Sequence, residues 1–139
     1  MVNIPTCNMP RRPSEFENHP AGFPKDTYYR AFCTHVVDGD TIDVIIDLGF
    51  LKYAYETIRL EGVDTPETFR PKSPIEKAAG MAAKTFVESK VLNKQLKIET
   101  IKDRQTFGRF RAKVFFYEDG VWKSLSEESK QNGYDWSEK

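Results

Sequence analysis

Two short acidic motifs have the residue types and spacing to hold a hard cation. The first is Asp-Gly-Asp-Thr at positions 38–41, and the second is Asp-Thr-Pro-Glu at positions 64–67. Ca²⁺ takes carboxylate and carbonyl oxygens in a flexible number, so two carboxylates and a nearby backbone carbonyl leave positions open for water. Asp40 and Asp64 are therefore the candidate metal-binding side chains. The sequence contains no Cys/His cluster, which disfavours structural zinc.

Two arginines and a further carboxylate could complete a site for a phosphodiester. Arg59 and Arg109 each carry a planar guanidinium group that can hold two phosphoryl oxygens. Such donors stabilise the transition state because negative charge grows on those oxygens during attack at phosphorus. Glu67 follows Asp64 closely, where it could accept a proton from, or orient, an attacking water activated by the metal. Each residue alone has an ordinary explanation, such as a turn aspartate or a surface arginine. Only their combination favours phosphodiester hydrolysis.

Alternating aromatic and β-branched residues predict the strands that would position these side chains. The expected strands are 28–37, 41–48, 53–63, 95–101 and 109–117. Ser73, Pro74 and Glu76 form a helix start with a capping box, and Ser124 opens a second, short helix that Gly133 can end. The stripe of the first helix expected to face the sheet consists of Ile75, Ala78, Ala79, Ala82 and Phe86.

The order of these elements predicts an α+β, mainly β fold. It matches a five-stranded OB-type barrel with one helix after the third strand and a short C-terminal helix. Asp40 would follow a tight turn at a strand start, where we expect Gly39 to adopt a positive φ. Asp64 would follow a strand end. In an antiparallel meander these two positions can meet at one mouth of the sheet.

Length and composition favour one domain with an N-terminal extension. The 139 residues, 39% of them apolar, suffice for one core. Residues 1–26 contain five prolines and are expected to form a flexible arm, with the domain at 27–139. The formal net charge is zero, but acids dominate 38–67 and bases dominate 70–97 and 102–113. This distribution suits a cation pocket bordered by a basic surface that binds a polyanion in a salt-sensitive way.

The sequence also bounds the cellular setting. No apolar run is long enough to span a membrane, and the first residues do not read as a secretory signal. Cys7 and Cys33 are too few for a disulfide framework, so we expect reduced thiols and a cytoplasmic protein. We also expect a monomer that acts without a membrane. His19 and His35 lie outside the motifs and are expected to be non-catalytic.

Three segments resemble the signature of the staphylococcal (micrococcal, thermo-) nuclease family, namely 37–41, 58–67 and 107–109. The resemblance covers roughly positions 28 to 136. It implies an OB-fold that cleaves DNA and RNA with Ca²⁺ and leaves 3′-phosphates.

The resemblance also implies roles for individual residues. Ca²⁺ would be bound by Asp40, Asp64 and the carbonyl of Thr65. Phosphate would be bound by Arg59 and Arg109, with Glu67 as the candidate general base. Phe107 stands where the best-known members have a tyrosine, and it could still contact the substrate by stacking on a base.

The sequence therefore predicts a Ca²⁺-dependent nuclease whose partner is DNA, RNA or both. The alternative is an OB-fold module that binds nucleic acid or protein without catalysis. Arg59, Glu67 and Arg109 weigh against that alternative, because binding alone does not require all three.

Overall fold

The computed structural model describes residues 28–106 and 109–136, without the side chains of residues 102–106. The predicted N-terminal arm at 1–26 and Phe107 lie outside the described residues, so those two predictions stay predictions.

Five strands close into a small barrel. They are β1 (Tyr28–Asp38), β2 (Thr41–Gly49), β3 (Lys52–Leu60), β4 (Gln95–Thr106) and β5 (Arg109–Glu118). The sheet order is β3-β2-β1-β4-β5, with each neighbouring pair antiparallel. A parallel pairing of residues 58–60 with 110–112 joins β3 to β5 and closes the barrel. The predicted OB-type α+β architecture is confirmed.

One short strand was not among those predicted from the sequence. After a turn that follows β5, β6 (Val121–Ser124) pairs antiparallel with β5 and places Trp122 opposite Tyr117. Asp119 and Gly120 make the turn with φ angles of 55° and 78°. With only four residues, this strand is too short to show a clear alternation of apolar and polar residues.

The barrel interior follows the predicted period of two. Its buried side chains include Ile42, Val44 and Ile46 of β2 and Ala112, Val114 and Phe116 of β5. Leu48 and Phe110 continue the same alternation, but both lie near strand ends and are exposed. The third strand also ends earlier than predicted, at Leu60. Gly62, with a φ of 89°, then turns the chain before it reaches Asp64.

Helix α1 (Pro74–Val91) begins as predicted but presents a different face to the barrel. The Ser73 hydroxyl accepts a hydrogen bond from the Glu76 amide at 3.1 Å. The buried residues of the helix are Gly80, Ala83, Val87 and Val91. The predicted stripe is wrong at its start, since Ile75 is 76% exposed and Ala78 and Ala82 are exposed. The spacing of the small residues is compatible with either of two faces of the helix. Close packing on the barrel selects the face that carries Gly80, the smallest residue.

The short C-terminal helix α2 (Leu125–Gln131) is also confirmed. Ser124 caps it by accepting a hydrogen bond from the Glu127 amide at 3.3 Å. After the helix, Gly133 takes a φ of 81°. Residues 134–136 then run back towards the end of β3. Neither α1 nor α2, the helices in the described ranges, combines the length and apolarity needed to cross a bilayer.

Candidate active site

Asp40 connects the β1–β2 turn to the segment that follows β3. Its backbone carbonyl accepts a hydrogen bond from the Leu60 amide at 2.8 Å. Its buried carboxylate accepts one bond from the Thr65 amide at 3.0 Å and another from the Thr41 hydroxyl at 3.0 Å. The two acidic motifs therefore meet at one rim of the barrel.

Gly39 lets the turn approach that segment closely. A Cβ atom at this position would lie 2.8 Å from Thr65 Oγ1 and 2.9 Å from the Cβ of Ala83 in α1. The predicted positive φ of Gly39 is wrong, because its φ lies outside the left-handed region. Glycine is needed here because a Cβ would come too close to Thr65 and Ala83. This requirement cannot be read from the residues of the turn alone.

Arg59 joins the two carboxylates that were predicted to bind the metal. Its Nη2 atom lies 3.4 Å from Asp40 Oδ2 and 3.2 Å from Asp64 Oδ1. Its Nη1 atom donates to the carbonyl of Leu60 at 2.9 Å and to that of Val63 at 2.7 Å. These four contacts fix the guanidinium group, which is largely buried, beside both acids.

Arg109 reaches the same rim from the start of β5. Its Nη1 atom donates to the Thr41 hydroxyl at 3.4 Å, and that hydroxyl donates to Asp40. Both guanidinium groups thus contact the start of β2 and the turn before it, Arg59 at Asp40 and Arg109 at Thr41. Both arginines predicted to bind phosphate are brought together with Asp40 and Asp64.

The rim carries an excess of carboxylates around Glu67. Glu67 is exposed as a residue, but its carboxyl group is partly desolvated, and this raises its pKa above the ordinary glutamate value. The nearby Asp38, Asp40, Asp64 and Glu76 raise this pKa further. Burial also raises the pKa of Asp38, against a hydrogen bond from the Thr68 hydroxyl at 2.6 Å.

The donor chemistry of the rim fits a hard cation. Asp40 and Asp64 offer carboxylate oxygens, and the buried hydroxyl of Thr65 has no hydrogen-bond partner among the described residues. Partial desolvation and the neighbouring acids raise the pKa of Glu67, and a cation would offset the negative charge of these acids. Within residues 28–106 and 109–136, no three His, Cys, Asp or Glu side chains converge as a ready-made metal cluster. A cation here would need further ligands besides these two carboxylates, and it would share both of them with Arg59.

Comparison with known proteins identifies the family. A family model described as "Staphylococcal nuclease homologue" matches residues 57–139, more than half of the chain. The chain belongs to the staphylococcal nuclease family. It is similar to the thermonuclease of Staphylococcus intermedius, at 35% identity over 94 residues that cover 67% of this chain and 52% of that protein. The thermonuclease of Staphylococcus hyicus is 32% identical with the same coverage.

A third relative covers more of the chain. An uncharacterized protein of Methanocaldococcus jannaschii is 28% identical over an alignment of 137 residues, which covers 86% of this chain and 64% of that protein. The chain spans about half the length of the thermonucleases it matches. Membership of the nuclease family agrees with the site at the barrel rim.

Sequence reasoning missed two groups of residues that hold this staphylococcal nuclease-like site. A Cβ at Gly80 of α1 would lie 2.8 Å from the carbonyl oxygen of Pro66 and 2.9 Å from that of Glu67. A glycine inside a helix costs about 1 kcal/mol relative to alanine, and that cost was the available signal for a close approach. Asp135 and Trp136 also contact the rim, and no pattern in the sequence indicated it.

Proposed function

We propose that this chain is a Ca²⁺-dependent nuclease that hydrolyses phosphodiester bonds of DNA, RNA or both. The observation that carries the proposal is the position of Arg59, whose guanidinium group lies 3.4 Å from Asp40 and 3.2 Å from Asp64. The group proposed to bind phosphate and the two proposed to bind the cation therefore lie at one rim. Membership of the staphylococcal nuclease family supports the same reaction class.

Asp40, Asp64 and the carbonyl of Thr65 are the residues that would hold Ca²⁺. When bound, the ion would neutralise charge on the phosphate and lower the pKa of a nearby water. Asp40 is suited to this role because its hydrogen bonds from Thr65 and Thr41 fix its orientation before any cation arrives.

Arg59 and Arg109 would bind the non-bridging oxygens of the scissile phosphate. Arg59 is fixed by two backbone carbonyls, and Arg109 contacts the Thr41 hydroxyl, so both are partly oriented before substrate binds. Preorganised donors stabilise the extra charge of the transition state at little cost in reorganisation. Phe107, two positions before Arg109 in the sequence, would contact a base of the substrate.

Glu67 would take the proton of the attacking water. Partial desolvation and neighbouring acids raise its pKa, which makes the carboxylate a stronger proton acceptor near neutral pH. The water oxygen forms a bond to phosphorus while the bond to the 5′ oxygen breaks, and the departing 5′ oxygen takes up a proton from solvent. The products then carry a 3′-phosphate and a 5′-hydroxyl.

The test is cleavage of plasmid DNA, single-stranded DNA and RNA with Ca²⁺ or with a chelator. Replacing Glu67 by Gln or Arg109 by Gln should each lower kcat about 10²- to 10³-fold, as expected for loss of a group that acts in the transition state. Arg30→Gln is the matched control, because Arg30 is an exposed arginine whose partner, Asp47, lies outside the rim. Cleavage that persists in chelator would refute the proposal. So would cleavage by a variant that carries both Glu67→Gln and Arg109→Gln. Binding of nucleic acid without cleavage would favour the non-catalytic module instead.

A further inference from the structure

The segment after α2 returns to Asp64 and forms hydrogen bonds with both the backbone amide and the backbone carbonyl of that residue. The amide of Asp64 donates to Asp135 Oδ1 at 3.2 Å, across 71 positions of the chain. The amide of Trp136 donates to the carbonyl of Asp64 at 2.7 Å. We refer to Asp135 and Trp136 as the C-terminal clip.

The clip is itself anchored to the rest of the domain. The Tyr134 amide donates to the carbonyl of Ser129, a fully buried residue of α2, at 2.9 Å. The Tyr134 ring packs on Phe86 of α1 with 5.1 Å between ring centroids. The clip therefore reaches Asp64 from a support formed by both helices.

Asp64 needs such support more than Asp40 does. The Asp64 side chain is 61% exposed, whereas that of Asp40 is 11% exposed and held by two hydrogen bonds. The side-chain contact of Asp64 is with Arg59, a group that the proposed reaction also requires for phosphate. Because ordering the backbone of one residue costs roughly 1–2 kcal/mol, a ligand on an unsupported segment would bind a cation weakly.

We propose that Asp135 and Trp136 are positioning residues that fix the backbone of Asp64 for cation binding. The inference rests on the proposed function, since it assigns Asp64 to the cation site. It concerns the hydrogen bonds of the clip, so it assigns this role to the acceptor oxygen of Asp135. For Trp136 it assigns the role to the backbone amide, which donates to the Asp64 carbonyl.

Two pairs of variants isolate these hydrogen bonds. Asp135→Ala removes the acceptor, whereas Asp135→Asn keeps an acceptor oxygen and removes the charge. Trp136→Pro removes the amide donor together with the ring, whereas Trp136→Ala removes only the ring. Glu127→Ala, which removes an exposed carboxylate of α2, is the control for a lost negative charge.

Ca²⁺ affinity is measured by calorimetry, and hydrogen exchange is measured for the peptide that covers residues 61–68. We expect Asp135→Ala to weaken Ca²⁺ binding about five- to tenfold, the effect of one lost hydrogen bond. Asp135→Asn and Glu127→Ala should stay within about twofold of the wild type. Trp136→Pro should bind about fivefold more weakly than Trp136→Ala. Exchange should accelerate in Asp135→Ala and Trp136→Pro even without Ca²⁺.

The possible results separate this inference from the proposed function. Equal weakening by Asp135→Ala and Asp135→Asn would overturn it, because the charge would then be what matters. Faster exchange with unchanged Ca²⁺ affinity would overturn it too. If the wild-type chain binds Ca²⁺ with the expected variant pattern but cleaves no nucleic acid, the clip stands and the proposed function fails. If the chain cleaves and the clip variants bind Ca²⁺ normally, only the clip is refuted.

Discussion

The β1–β2 turn is packed inside the domain, whereas the β2–β3 turn at the other end of β2 projects into solvent. A Cβ on Gly39, in the first turn, would lie within 3 Å of both Thr65 and Ala83. A Cβ on Gly49, the last residue of β2 before the second turn, would have nothing within 4 Å. Next to Gly49, Phe50 and Leu51 are 97% and 88% exposed.

The two glycines therefore serve different physical needs. Gly49 has a φ of 82°, and Phe50 and Leu51 also adopt left-handed φ values of 54° and 58°. That turn is set by the conformation of its own backbone. The turn with Gly39 has no left-handed φ at its glycine, and its shape is set by what packs on it. The functional turn is the one that depends on distant parts of the chain.

The largest expected effect comes from adding one methyl group to the packed turn. Gly39→Ala should lower the free energy of unfolding by about 3 kcal/mol, because the new Cβ must displace Thr65 or Ala83. The same displacement should weaken Ca²⁺ binding, since Thr65 also donates to Asp40. Urea unfolding and calorimetry measure the two effects. A Gly39→Ala protein with wild-type stability would contradict the packing role of this turn.

Gly80→Ala tests the same kind of contact from the helix side. The added Cβ would press on the carbonyl oxygens of Pro66 and Glu67, which are backbone atoms that cannot rotate away. We expect a loss of about 1–2 kcal/mol, since overpacking outweighs the gain in helix propensity. We also expect kcat to fall about tenfold through displacement of Glu67. Met81→Ala, on an exposed position of the same helix, is the control. A more stable Gly80→Ala protein with full activity would show that this contact positions nothing.

Gly49→Ala sharpens the comparison as the matched change in the exposed turn. It should cost about 1 kcal/mol, the price of a left-handed φ for a residue with a Cβ. Cleavage rate and Ca²⁺ affinity should be unchanged, because nothing lies within 4 Å of the added atom. Equal loss of activity in Gly49→Ala and Gly39→Ala would remove the distinction between the two turns.

The smallest expected effect concerns the charges near the packed turn. Because the pKa of Glu67 is raised in the folded state, the folded protein binds the proton of this carboxyl group more tightly than the unfolded chain does. The resulting stability is present below the ordinary glutamate pKa and is lost as pH rises through the raised value. In chelator, Glu67→Gln should therefore gain stability relative to the wild type as pH rises through this window. Urea unfolding over a pH series measures the difference, and a constant difference would contradict the electrostatic origin.

Much of the fold could be predicted because the signals are local. Alternation placed β2 within one residue of its observed end, and hydroxyl caps placed the starts of α1 and α2 at Ser73 and Ser124. The acidic motifs and the two arginines were recognised from residue type and spacing, and the barrel brings Asp40, Asp64, Arg59 and Arg109 to one rim. The buried face of α1 and the role of Gly39 could not be predicted, because both depend on contacts between segments far apart in sequence.

The amino-acid sequence by itself determined the period of each strand, the capped helix starts and the chemical identity of the donors at the rim. These depend on backbone preferences and side-chain chemistry within a few residues. Only the tertiary structure decided which atoms lie within hydrogen-bonding distance. Gly39, Gly80 and the clip at Asp135 and Trp136 gain their roles from close approach across the chain. Such contacts depend on how whole elements pack, and packing is a property of the assembled barrel.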